Sequence, residues 1–177
     1  MKIVILNGSP RIGGNTDELV TAFKNGASIL NDVEVINVCE KNINPCRGCN
    51  ACLNSKQCYQ KDDMLSVYEA LSNADALVVA SPVYFYGISS QLKAVIDRLH
   101  NPIRNDFKIS RLGLMLVGAA SRPDLFDAVK LQYEMLLQFF NLESIGELCV
   151  PSVKDKGDVK KTTAVLKAYE WGKSLKN

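Results

Sequence analysis

Short apolar runs alternate along this chain with longer segments of helical period, and no other feature restricts its fold as tightly. Ile3 to Leu6, Ala76 to Ala80 and Leu112 to Val117 are almost continuously apolar, as strands covered on both faces must be. They read as central strands. Glu34 and Asn37 interrupt Val33 to Val38, and Gly146 and Glu147 interrupt Ile145 to Val150, so these two suit sheet edges. Helical faces fall between the strands: Leu19, Phe23, Ala27 and Leu30; Met64, Val67, Tyr68 and Leu71; Leu92, Val95, Ile96 and Leu99; Leu125, Val129, Leu136 and Phe140; Val165, Leu166 and Tyr169. Asn15 and Glu18 have the spacing of a capping box, and Pro123 stands where a first-turn proline belongs. The pattern predicts an α/β fold: a five-stranded parallel sheet with helices on both faces.

The 177 residues suffice for one buried core, so residues 1–177 read as a single domain, with a cysteine-rich insertion at about 44–61. The net charge is +2 with both signs interspersed, which argues against a nucleic-acid partner. The apolar start stops at a Gly-Ser-Pro turn, too soon for a secretion signal, and no run approaches the roughly 20 apolar residues of a spanning helix. No membrane association is expected, and the cytoplasm is the expected compartment. Four of the six cysteines crowd into thirteen positions, which suggests metal rather than disulfides.

Gly8-Ser9-Pro10-Arg11-Ile12-Gly13-Gly14-Asn15-Thr16 joins the first strand to the first helix. A glycine turn feeding a helix N-terminus gathers unpaired N–H groups at the positive end of the helix dipole, which suits a phosphate. Ser9, Asn15 and Thr16 add neutral donors and Arg11 a charged fork. No Lys-Ser or Lys-Thr follows, as a triphosphate loop requires, and G-x-G-x-x-G is missing. A mononucleotide phosphate fits better; a tight turn that binds nothing is the alternative.

Ser81-Pro82-Val83-Tyr84-Phe85-Tyr86-Gly87 leaves the carboxyl end of the third strand. In an open sheet of order 2-1-3-4-5, ligands bind where the order reverses, between strands one and three, so both loops would face one crevice. Three aromatics on a stiff turn can wall a flat ring system, although one of them is expected to pack on a neighbouring helix or subunit. Gly118-Ala119-Ala120-Ser121 leaves the fourth strand and by topology could complete the crevice through Gly118 and Ser121.

GSPRIGGNT, the DDM at Asp62 to Met64, and SPVYFYGISSQLKAVIDR from Ser81 to Arg98 together resemble the NADPH-dependent FMN reductase family. With the cysteine loop added, the chain is similar to that family's iron-sulfur flavoprotein branch. The likeness is strong over roughly the first hundred residues. It implies a flavodoxin-like, three-layer α/β/α sandwich with FMN at the first-strand loop. By motif, Ser9, Arg11, Asn15 and Thr16, with Gly14 in the same loop, would hold the phosphate, and Pro82, Val83, Tyr84, Phe85 and Gly87 would surround the isoalloxazine ring.

Cys46, Cys49, Cys52 and Cys58 read C-x2-C-x2-C-x5-C. Thiolates two residues apart can turn onto one centre, and three in succession favour an iron-sulfur cluster over zinc, whose sites commonly use separated pairs. The spacing resembles that of iron-sulfur flavoproteins, so a 4Fe-4S cluster is expected. Zinc, free thiols or a disulfide, and an inherited but unfilled loop stay open. Cys39 and Cys149 are expected to be buried free thiols. His100 reads as a structural residue or a helix C-terminal cation, Asp97 and Arg98 as a surface or subunit contact, and Trp171 as packing.

The flavin would perform the redox chemistry, so no catalytic side chain is assigned. The expected function is electron transfer from ferredoxin or NAD(P)H to a quinone, another small oxidant or a partner protein, by a homodimer or homotetramer. A cluster-free NAD(P)H-dependent FMN, quinone or azo reductase is the second reading. A non-catalytic module with a zinc-stiffened loop is the third.

Overall fold

The computed structural model describes residues 1–176. Its elements run β1 (Lys2–Asn7), α1 (Asn15–Ala27), β2 (Asp32–Asn37), α2 (Cys52–Ser55), α3 (Met64–Ser72), β3 (Ala76–Pro82), α4 (Ser90–Arg98), β4 (Arg111–Val117), α5 (Asp127–Phe140), β5 (Glu143–Val150) and α6 (Ala164–Ser174). The five strands form one parallel sheet in the order β2-β1-β3-β4-β5. The predicted central and edge strands take those places. This is the flavodoxin-like order, and it puts the carboxyl ends of β1 and β3 side by side at the switch point.

Two apolar layers cover the sheet. Ile3, Ile5, Val78 and Met115 face α1 and α6, while Val4, Leu6, Leu77, Leu112 and Leu114 face α3, α4 and α5. Side chains alternate along each strand, so a run apolar at every position buries both faces. Among the described residues, no helix is long and apolar enough to cross a membrane.

Three sequence expectations shift. Leu30 lies beyond the end of α1 and is 58% exposed, because the chain leaves the helix at Ser28 to reach β2. Pro123 opens a turn over residues 123–126 rather than a helix, and α5 begins at Asp127. Leu166 points outward at 63% exposed, since α6 presents Ala164, Ala168 and Gly172 to its neighbour instead.

That small face has a steric cause. A Cβ on Gly26 would stand 2.0 Å from the Tyr169 carbonyl oxygen, and one on Gly172 would stand 2.2 Å from that of Phe23. Helices α1 and α6 therefore cross backbone to backbone at two glycines. Trp171 closes the same layer as packing: its ring meets Phe23 edge-on at 4.7 Å, and its Nε1 donates to the Ile145 carbonyl at 2.6 Å. It lies over Gly113 and Gly146, where the β4–β5 register slips. Gly172→Ala should force the two helices apart and cost about 1–3 kcal/mol as overpacking does. A lower urea midpoint at unchanged slope is expected; an unchanged midpoint would mean the crossing is looser than this.

Candidate functional site

The β1–α1 loop is built from the inside by Asn7 and Asp17. Asn7 Oδ1 accepts from Ser9 N at 3.1 Å, and its Nδ2 donates to Asp17 Oδ1 at 2.7 Å. Asp17 Oδ2 accepts from Gly13 N at 2.6 Å, Ser9 Oγ from Arg11 N at 3.2 Å, and Arg11 O from Gly14 N at 2.9 Å. Among the described residues, this leaves the N–H groups of Ile12, Asn15, Thr16 and Asp17, with the Thr16 hydroxyl, without a protein acceptor. Such donors at the start of a 13-residue helix make an anion cradle. The donor chemistry fits a phosphate.

Two residues of this loop act otherwise than predicted. Gly14 is the N-cap, and a Cβ there would stand 2.8 Å from the Arg11 carbonyl oxygen. Its own N–H is used within the loop, so it shapes the cradle rather than donating into it. Asn15 is buried and forms no capping box; Glu18 pairs instead with Lys160 at 2.7 Å. Asn15 Nδ2 donates to Asp155 O at 2.9 Å, and its Oδ1 accepts from Gly157 N at 3.1 Å and Val159 N at 3.2 Å. The amide thus pins the segment after β5 onto the cradle, and of the Asn15 donors only the main-chain N–H is left without a protein acceptor. Arg11 Nη1 rests on Lys154 O at 3.0 Å, and Lys156 Nζ donates to Ile12 O at 2.9 Å. Sequence reasoning missed Lys154 and Lys156; a paired lysine just past a strand's carboxyl end was the only available signal.

The aromatic loop lies directly beside this cradle. Gly8 N donates to Ala80 O at 2.8 Å, and a Cβ on Gly8 would meet Leu92 at 2.7 Å and Ser89 Oγ at 2.9 Å. Tyr84 and Gly87 exchange both main-chain hydrogen bonds, at 2.9 and 3.1 Å, around Phe85 and Tyr86 at φ of 50° and 66°. Two positive-φ residues in a two-residue turn normally call for Asn and Gly. Holding aromatics there costs on the order of 1–3 kcal/mol each, and strain of this kind gathers at ligand sites. Pro82 is buried and Val83 and Gly87 are half-buried, whereas Phe85 is 101% exposed and Tyr84 and Tyr86 are close to half-exposed. None of the three aromatics is buried within the domain, so packing of one of them on a neighbouring helix is not seen.

At the carboxyl end of β4 the two named residues differ. Gly118 is buried, its N–H donating to Val150 O and its carbonyl accepting from Val153 N, both at 3.0 Å, and a Cβ there would meet Leu125 at 2.5 Å. It serves packing. Ser121 is exposed. The neighbour that reaches the aromatic turn is Arg122, 5.7 Å from the Tyr86 ring and held by Asp124 at 2.6 and 2.7 Å.

The cysteine loop is anchored at both feet. Asn42 N donates to Asp63 Oδ2 at 2.7 Å, Asn44 N to Asp62 Oδ2 at 3.0 Å, and Gln60 Nε2 to Pro45 O at 3.2 Å. Lys56 Nζ pairs with Asp106 at 2.7 Å farther out. Asp62 also meets Arg98 Nη1 at 2.5 Å with both side chains 2% exposed. Arg98 is therefore buried, not a surface contact, because the loop and α3 fold over it; Asp97 does stay at the surface, 2.5 Å from Lys93. Burial pushes the Asp62 carboxyl up, but Arg98 and the N–H groups of Asn44 and Met64 outweigh it, and the net shift is downward.

Cys46, Cys49, Cys52 and Cys58 are all free thiols and line one cavity of about 80 Å³, together with Tyr68, Asp97, Arg98, His100 and Asn101. Gly48 N donates to Cys46 Sγ at 3.5 Å. Two buried donors in that lining, Arg98 Nε and Asn101 Nδ2, have no partner. Four thiols and unpaired donors around one cavity fit a thiolate-bound, electron-rich group. Among the described residues, no group of three or more His, Cys, Asp or Glu side chains converges closely enough to hold a single metal ion. Cys39 and Cys149 are half-buried and lie apart from this loop; burial pushes the Cys149 thiol up to about 11, and raises that of Cys39 with help from Asp17 and Glu40. Both are weak nucleophiles.

A larger cavity, about 630 Å³, lies between α4 and α5 and shares Cys46, Gly48, Asp97 and His100 with the cysteine cavity. Leu77, Leu112, Tyr133, Leu136, Phe139 and Phe140 also line it. It is apolar and lies outside the crevice at the strand ends.

Residues 1–123 match the family described as NADPH-dependent FMN reductase. An iron-sulfur flavoprotein of Methanocaldococcus jannaschii is 37% identical over 123 residues, covering 68% of this chain and 63% of that protein. One from Archaeoglobus fulgidus is 34% identical over 143 residues, covering 81% of this chain and 73% of its own. The chain thus spans about two thirds of the length of these relatives. Among solved structures, an NAD(P)H:quinone oxidoreductase from Methanothermobacter marburgensis superposes with a TM-score of 0.75 at 16% identity, covering 100% of this chain and 98% of that one. An FMN-dependent NADH-azoreductase from Bacillus anthracis in complex with FMN gives 0.69 at 14%, covering 100% of both. At such identities these two establish the fold.

Asn15→Ala should release the segment after β5 while leaving the cradle's main chain in place. Amide exchange at Gly157 and Val159 is expected to rise, with a stability loss of about 1–3 kcal/mol for the buried groups left unpaired. Unchanged protection would mean that segment is held without Asn15.

Proposed function

The chain belongs to the NADPH-dependent FMN reductase family, and on that premise we propose that it is an FMN-dependent oxidoreductase with a 4Fe-4S cluster in its cysteine loop. The observation that carries the flavin half is the pairing of a donor cradle at Ile12, Asn15 and Thr16 with a strained aromatic turn anchored next to it through Gly8. The N–H groups of the cradle and the Thr16 hydroxyl would bind the phosphate, and Arg11 would add charge from its perch on Lys154. Ser9 would hold the loop open. Pro82, Val83 and Gly87 would support the ring edge, with Tyr84 and Phe85 against its face and Ser121 at the rim. Bound FMN supplies hydride acceptance and stepwise electron release, which asks no acid or base of the protein.

Four free thiols on one cavity support the cluster, as does the likeness to relatives named iron-sulfur flavoproteins. Electrons would come from ferredoxin or NAD(P)H and go to a quinone, another small oxidant or a partner protein, in the cytoplasm. The exposed Leu131, Met135 and Phe139 of α5 support a homodimer or homotetramer, since apolar rows of this kind usually meet a partner. The exposure of Cys46 and Cys49 favours the second reading, a cluster-free NAD(P)H-dependent reductase.

One preparation separates these readings. Protein purified without oxygen should show a flavin spectrum with a broad iron-sulfur absorption, contain iron and acid-labile sulfide in equal amounts, and bleach with reduced ferredoxin or NAD(P)H. A flavin spectrum without iron would leave the cluster-free reductase. A colourless protein that takes up no FMN would overturn the enzyme.

A further inference from the structure

Arg98 and Asn101 are 3% and 4% exposed, and each keeps a hydrogen-bond donor that no protein atom accepts, Nε of Arg98 and Nδ2 of Asn101. Arg98 Nη1 is held by Asp62 at 2.5 Å and by Asn44 O at 3.2 Å, and Asn101 Oδ1 accepts from Ile103 N at 3.1 Å. The Asn101 amide and the Arg98 guanidinium both approach the Tyr68 hydroxyl, Asn101 Nδ2 and Arg98 Nε without forming a hydrogen bond of normal geometry, while that hydroxyl donates to Arg98 O at 2.8 Å. A buried donor without an acceptor costs on the order of 1–3 kcal/mol, so two in one place call for an absent partner.

Both residues line the cavity of about 80 Å³ whose other walls carry Cys46, Cys49, Cys52 and Cys58. Asp62, the anion of the buried pair, is not part of that lining. Arg98 thus borders the four-thiol cavity, while its partner Asp62 lies outside that lining, at the loop's feet. Four thiolates give a cluster net negative charge, and one-electron reduction adds one more with no proton taken up. Hydrogen bonds to cluster sulfurs and nearby positive charge favour the reduced form.

We propose that Arg98, with Asn101 beside it, is a positioning residue of the four-cysteine centre, donating to the sulfurs of the cluster and favouring its reduced state. This rests on the cluster reading above. The thiolates alone assemble the cluster; Arg98 and Asn101 set how readily it accepts an electron.

The test compares wild-type protein with Arg98→Lys, which keeps a cation for Asp62 but removes Nε–H, and with Asn101→Asp, which keeps the acceptor for Ile103 but removes Nδ2–H. Should Arg98→Lys fail to fold, the neutral pair Arg98→Gln with Asp62→Asn replaces it. Iron and sulfide are assayed, and the cluster and flavin are titrated together by absorption and electron paramagnetic resonance. The expected result is unchanged iron content and at least a tenfold shift of the cluster's redox equilibrium towards the oxidised form, a potential lower by about 59 mV for one electron. The flavin couple should stay put, because its crevice lies at the other end of α4. An unmoved cluster potential would overturn the inference and leave the cluster standing. A folded variant that no longer takes up iron would also overturn it, by making these residues scaffold. Wild-type protein holding zinc or no metal would overturn the cluster reading itself, and the inference with it.

Discussion

The ion pair between Asp62 and Arg98 is the interaction on which the arrangement of this molecule turns. Both side chains are 2% exposed, and breaking a pair this deep by removing one partner typically costs about 3–5 kcal/mol. Asp62 also accepts from the main chain of Asn44 and Met64. One carboxylate thus joins the incoming foot of the cysteine loop, the start of α3 and the end of α4. It acts with the Asp63, Gln60 and Lys56 contacts to fix the loop's height on the domain.

Helix α4 then sets the distance between the two candidate redox sites. It begins at Ser90, just after the aromatic turn and against Gly8, and ends at Arg98, in the wall of the cysteine cavity. Nine residues make a helix about 14 Å long. The flavin crevice and the cysteine loop of one chain therefore stand at opposite ends of a rigid rod. Between them runs the apolar groove of α4 and α5, with Phe139 exposed along it.

Most of the fold was legible because a strand buried on both faces has no polar positions to spare, and Ile3 to Leu6, Ala76 to Ala80 and Leu112 to Val117 announce themselves. Both crevice loops were legible for a related reason: glycine, hydroxyl and aromatic residues at a strand's carboxyl end have few other uses. What stayed hidden depends on contacts distant in sequence. Nothing near Asn15 says that its amide reaches across to Val159, and a terminal Asp-Arg dipeptide on a helix looks like surface until α3 and the loop close over Arg98. Phe85 and Tyr86 at positive φ were equally invisible, since their local preference opposes the turn they occupy. Those conflicts between local preference and observed structure fall at the two candidate sites, where they are expected.

On the function proposed for this chain, the cradle at the start of α1 binds a flavin by its phosphate. The most direct measurement is a titration of flavin-free protein with FMN and with riboflavin, which differ only in that group, followed by quenching of flavin fluorescence. FMN should bind at least tenfold more tightly than riboflavin, with the difference shrinking as salt is raised, as charge-assisted contacts to phosphate require. Equal affinities, or no binding of either, would contradict it.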